Sequence, residues 1–161
     1  MSDKPKAEFI SNPRSLNSKV RVVPGKSADD LLKGAGLNIE NLRGDFIAML
    51  REENESLGKA MAVADKNAAG RAAAIEEMRR IVNDLRGTAG GYGYALVGEV
   101  TASACTFIDG TKEWNPATLA ILRAHVDTLR AVVAGNIAGD GGPAGRQLMA
   151  GLQAVMARIK G

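Results

Sequence analysis

The chain has 161 residues, of which 45% are apolar, 4% aromatic and 24% charged. This suffices for one folded domain with its own core and excludes a disordered chain. The net charge of +3 is concentrated at the start, where six Lys or Arg face two acids in residues 1–26; the remainder is nearly neutral, which weighs against a nucleic-acid-binding body.

Residues 1–26 read as a flexible basic arm, with Pro5, Pro13 and Pro24 and a short extended patch at Val20, Val22 and Val23. The body is expected over 27–161. Ser27 and Asp30 form a helix-start signal with negative charge in the first turn. Leu31 and Leu32 follow in a short helix that Gly34 and Gly36 are expected to end. A long helix is predicted over about 38–64, with Ile39, Leu42, Phe46, Leu50, Leu57, Met61 and Ala64 on one face. The next, about 68–90, turns Ile75, Met78, Ile81, Val82, Leu85 and Ala89 inward.

After the glycines at 90–93, a helix over about 94–109 buries Leu96, Val97, Val100, Ala104, Phe107 and Ile108. Asn115 followed by Pro116 is a cap and a first-turn proline, opening a helix to about Ile137 with Leu119, Leu122, Val126, Leu129 and Val133 in one stripe. The segment 138–142 breaks it. Pro143 opens a last helix carrying Leu148, Leu152, Val155 and Ile159. The expected fold is all-α: an antiparallel four-helix bundle with a short N-terminal helix and an additional C-terminal helix.

The chemistry-bearing residues are few. One cysteine, Cys105, permits no internal disulfide, and its apolar neighbours mark it as a small core residue rather than a reactive thiol. One histidine, His125, next to an apolar stripe reads as a packed imidazole rather than a phosphoacceptor. Together they cannot form a metal cluster, and no metal or cofactor is expected. No run of about 18 apolar residues spans a membrane. The N-terminal lysines precede no apolar run, so no secretory leader is read and a cytoplasmic protein is expected.

The stretch VNDLRGTAGGYGY at 82–94 poses the functional question. A phosphate loop fails, because Walker and dinucleotide loops follow a strand, and the former needs Lys-Ser or Lys-Thr after its glycines. A helix face succeeds: Glu76, Arg79, Arg80, Asn83, Arg86, Gly87 and Gly90 recur every three or four residues opposite the apolar stripe. Three arginines are expected around Asn83. Gly87 costs about 1 kcal/mol relative to alanine inside a helix, and close approach of another chain would offset that. Tyr92 and Tyr94 read as packing at the helix turn.

The stretch resembles the signature of histidine phosphotransfer (HPt) domains: His-x-Leu-Lys-Gly, then small residues, then Gly. Leu85, Gly87, Thr88, Ala89 and Gly93 match in place, and Arg86 replaces the usual lysine. The segment LRAHVDTLRAVVAGNIAGDGG at 122–142 is similar to the last bundle helix of bacterial members. The resemblance covers about 38–160 and implies a four-helix bundle in a two-component phosphorelay. Asn83 occupies the position of the phosphorylated histidine. A carboxamide nitrogen, its lone pair delocalised, is no nucleophile. The implied protein is a non-enzymatic pseudo-HPt that docks a response-regulator receiver domain or a histidine kinase through the strip. It would compete with true transfer partners or hold a receiver in one state. Two alternatives stand beside this: an active phosphotransfer protein carrying a His-to-Asn replacement at 83, and a basic helical module for nucleic acid or another anionic partner.

Overall fold

A computed structural model describes residues 27–160, and within them all regular structure is helical. The predicted arm at 1–26, with Val20, Val22 and Val23, lies outside the described residues, as do the side chains of Leu31, Ile39 and Ile159. Five α-helices follow one another: α1 (Ala28–Lys66), α2 (Arg71–Thr88), α3 (Ala95–Gly110), α4 (Pro116–Ala134) and α5 (Gly142–Lys160). A 3-10 turn, Ala89–Tyr92, joins α2 to the corner before α3. None of the described helices is long and apolar enough to cross a membrane.

The chain divides into two units, residues 1–37 and 38–161. In the first, the Ser27 hydroxyl accepts from the Asp30 N–H at 3.1 Å, and the Asp30 carboxylate accepts from the Ser27 N–H at 3.1 Å. These reciprocal bonds form a capping arrangement, and the bonds from Ser27 hold the Asp30 carboxyl below its ordinary value. The expected stop at Gly34 and Gly36 does not occur, because α1 runs through both. A helical glycine costs about 1 kcal/mol, a penalty rather than a stop, and Gly36 does not take the left-handed backbone that ends helices.

The second unit holds the core. Phe46, Leu50, Leu57, Met61 and Ala64 of α1 are buried with Ile75, Met78, Ile81, Val82 and Leu85 of α2. Leu96, Val97, Val100 and Ala104 of α3 join them, as do Leu119, Leu122, Val126 and Leu129 of α4 and Leu152 of α5. Each of α2, α3 and α4 packs on its successor. Leu42, expected on the buried face of α1, is instead 52% exposed. The packed layer begins one turn later, at Phe46, on which Tyr92 stacks at 4.6 Å between ring centroids. Tyr94 tilts against the same ring at 5.4 Å, so both tyrosines are packing residues.

Helix ends explain where the glycines go. The Tyr94 N–H donates to Ala89 O at 3.0 Å and the Gly93 N–H to Gly90 O at 3.2 Å, with Gly93 left-handed at φ 83°. This Schellman closure needs a residue that tolerates positive φ. The same closure ends α4: Ile137 N–H donates to Val132 O at 3.0 Å and Asn136 N–H to Val133 O at 3.1 Å, with Asn136 at φ 46°. The helix therefore stops at Ala134, three residues before the expected end. The two corners are tied, because Gly139 N–H donates to Gly93 O at 2.7 Å and Leu96 N–H to Gly139 O at 2.8 Å.

The start of α4 follows the sequence reading. Asn115 Oδ1 accepts from the N–H groups of Ala117 and Thr118 at 2.9 and 3.0 Å, and Thr118 Oγ1 accepts from the Asn115 N–H at 2.9 Å. Asn115→Ala removes this box and is expected to lower unfolding free energy by about 1 kcal/mol. Urea denaturation of the two proteins checks it; an unchanged midpoint would show that the cap carries no stability.

Candidate functional site

The site is built on α2, whose buried residues Ala74, Ile75, Met78, Ile81, Val82 and Leu85 fix the rotation of the helix. That rotation leaves Glu76, Arg79, Arg80, Asn83, Arg86 and Gly87 exposed, with Gly90 exposed in the following 3-10 turn. All seven strip residues anticipated from the sequence are therefore at the surface, while Leu85, two residues from Asn83, is 1% exposed.

The electrostatics of the strip differ from the expectation of three arginines around Asn83. Arg79 grips Glu76 with two bonds, at 2.7 and 2.9 Å. Arg80 grips Glu77 at 2.8 and 3.2 Å and reaches Asp84 at 3.3 Å. These bonds hold the Glu76 and Glu77 carboxyls below their ordinary values and raise both guanidinium pKa values. The pairs are exposed and their carboxylates compensate the arginine charge. Arg86 differs. Its Nη2 donates to Asn83 Oδ1 at 3.0 Å, and no carboxylate among the described residues lies within ion-pair distance of it. A lone guanidinium in the last turn also suits the helix dipole.

The glycines separate into two kinds. Gly93 is favoured by its left-handed backbone, and a Cβ there would meet the flexible end of the Arg43 side chain at 3.2 Å, which a small shift of the arginine relieves. A Cβ on Gly87, Gly90 or Gly91 would meet nothing within 4 Å. Packing within the described residues thus gives no reason for Gly87. Beside Asn83, a shallow depression of about 380 Å³ is lined by Glu76, Glu77, Arg79, Arg80, Asn83 and Asp84. A larger one, about 570 Å³, lies where α3 ends and α4 begins, against Phe107, Thr111, Asn115, Thr118 and Ile121; Asn115 and Thr118 are engaged in the cap of α4.

His125 is 1% exposed and stacks on Phe107 at 5.8 Å. Its Nδ1 lies 2.9 Å from Ile121 O and its Nε2 lies 3.0 Å from Ser103 Oγ. A carbonyl can only accept, so Nδ1 carries the proton and Nε2 accepts from the serine hydroxyl. Burial pushes the imidazole pKa down. With both nitrogens engaged and the ring enclosed, it is a core histidine, as its place beside the stripe indicated, and a phosphoryl donor has no route to it. Cys105 is likewise buried, and burial pushes its thiol pKa up, so it stays protonated at neutral pH and is no reactive nucleophile. Sequence reasoning missed Ser103 as the partner of His125. The two lie 22 positions apart on different helices, and no periodicity links them.

Among the described residues, no three His, Cys, Asp or Glu side chains gather as a metal site requires. No protein-family model matches the sequence, and no curated protein and no solved structure matches the chain.

Proposed function

We propose that the chain is a pseudo-HPt module that docks a receiver domain or a histidine kinase through the exposed strip of α2 and carries no phosphoryl group. In this reading α1 to α4 supply the antiparallel four-helix bundle of that family, and α5 is an addition to it. The observation that carries the proposal is the joint placement of Asn83, Arg86 and Gly87. All three are exposed together on one helix, while Leu85 between them is buried. That arrangement serves docking, because the face is free of the core and Gly87 leaves helix backbone open to a partner. It does not serve transfer, because the Asn83 carboxamide has no nucleophilic nitrogen.

A substitution series tests the surface. Gly87→Ala adds a Cβ into open space and is expected to hold stability or raise it by up to about 1 kcal/mol. Gly87→Gln places bulk at the contact and Arg86→Ala removes its charge. Each is expected to weaken binding of a captured receiver roughly tenfold, about 1.4 kcal/mol, with the bundle still folded by circular dichroism. Lys59→Ala, an exposed residue on α1, is the control. If Gly87→Gln and Arg86→Ala bind as tightly as this control, α2 presents only a solvated face.

A further inference from the structure

Among the described residues, His125 is the one buried side chain whose ordinary titration falls near neutral pH, and α5 closes over its serine partner. Ser103 Oγ donates to His125 Nε2 at 3.0 Å and lies 3.9 Å from Met156 Sδ of α5. The hold on α5 is slight. It packs along α4, yet of its described large apolar side chains only Leu152 is buried. Leu148, Met149, Val155 and Met156 are half-buried. No ion pair among the described residues involves this helix. The chain enters it through Gly141 and Gly142, both at positive φ, a glycine pair on which a helix can swing.

We propose that α5 is a proton-gated flap, closed while the His125 imidazole is neutral and lifted from α3 and α4 when the ring takes a proton. In the closed form Nδ1–H is held by Ile121 O, so Nε2 is the only place for a second proton. Protonation there removes the acceptor that Ser103 uses. The ring then donates to Oγ, and the serine proton turns away from it, with the Met156 thioether, a weak acceptor, as its other partner. The groups around the ring are Ser103 and Phe107 from α3, Ile121 from α4, and Met156 behind the serine from α5. None of them is charged. The Ile121 carbonyl favours the charged ring, and burial outweighs it. Cys105, also on α3, stays a neutral thiol in this range. Lifting α5 brings water to Ser103 and the ring, which solvates the imidazolium. This helix yields before the others because it adds only Leu152 to a core built from the stripes of α1 to α4. No residue of the α2 strip takes part.

Amide hydrogen exchange of the full chain, read by mass spectrometry and corrected for the intrinsic effect of pH, tests the gate. Residues 142–160 should be less protected than α2 at both pH 7.5 and pH 5.5. Their protection should fall about tenfold between the two, the limit for one proton taken up at an ordinary imidazole pKa of about 6.5. In His125→Gln and His125→Leu, which cannot take the proton, the fall should disappear while helical circular dichroism is kept. Protection of 142–160 equal to that of α2 would show that α5 opens only with the whole domain, and overturns the proposal. Protection of α5 that does not change with pH overturns it, and so does a fall that persists in either folded variant.

Discussion

Asn83→His is expected to change the chain from one that takes no phosphate into one that takes it at position 83. Asn83 is exposed on a helix whose core face is already fixed, so the substitution should alter stability by no more than about 0.5 kcal/mol. Asparagine and histidine also have similar helix propensities. The new imidazole nitrogen would attack the phosphorus of a receiver's aspartyl phosphate, a P–N bond would form, and the aspartate carboxylate would leave with the electrons of the broken P–O bond. Arg86, 3.0 Å from the present Asn83 oxygen, would face the phosphoryl oxygens. Incubation with radiolabelled receiver phosphate should label the variant with a phosphate lost in acid and kept in alkali, while the parent chain stays unlabelled. A folded variant that binds the phosphorylated receiver yet gains no label would show that position 83 does not face the reacting group.

The second large effect lies in the core and concerns His125. Its pKa is depressed in the fold by burial from an ordinary unfolded value of about 6.5. The unfolded chain therefore binds the proton more readily, and stability rises with pH between the two values. The contribution is fully present above about pH 6.5 and is lost as pH falls toward the folded value, with a slope of at most about 1.4 kcal/mol per pH unit. The groups facing the ring are Ser103 and Phe107 from α3 and Ile121 from α4, with Met156 of α5 against the same serine at 3.9 Å. None of these is charged; the Ile121 carbonyl bond favours the protonated ring, and burial outweighs it. Glu76, Glu77 and Asp30, whose values are lowered, titrate below this window. Urea unfolding at steps from pH 7.5 to 5.5 should show falling stability in the parent chain and a flatter profile in His125→Leu. His125→Ala, which also leaves a cavity and an unpaired Ser103, should lose about 3 kcal/mol at pH 7.5. Parallel profiles for the parent chain and His125→Leu would contradict the account of a neutral buried imidazole.

The helices were legible because their buried faces repeat at 3.6 residues: every inward residue expected of α2 and α3 is buried. Their ends were legible only where side chains encode them. Asn115 and Pro116 mark the start of α4 through side-chain geometry, which the sequence displays. The end of α4 is set by Asn136 adopting positive φ, a choice the backbone makes and asparagine merely tolerates. Gly34 and Gly36 misled because a helix absorbs their cost. Leu42 misled because periodicity names a face but not how far along the helix a neighbour reaches. Between Leu50 and Leu57, Asn54 occupies a buried position, 8% exposed, that a count of apolar residues skips. In the candidate site, exposure of Asn83 and Gly87 followed from the burial of Leu85. The pairing of Arg79 and Arg80 to acids on the same helix was available at three- and four-residue spacing. The same spacing leaves Arg86 only Asn83 as a polar helix neighbour; what spacing could not show is that no carboxylate of another helix among the described residues reaches it.

The central claim is that this surface docks a phosphorelay partner without receiving phosphate. The most direct measurement immobilises the full chain, exposes it to the receiver domains and kinases of one cell extract charged with labelled ATP, and analyses both what is captured and what is labelled. The account predicts a captured receiver or kinase, released by excess free chain but poorly by excess Gly87→Gln chain, with no acid-labile phosphate on the chain itself. Acid-labile phosphate on the chain, or failure to retain any receiver or kinase, would contradict it.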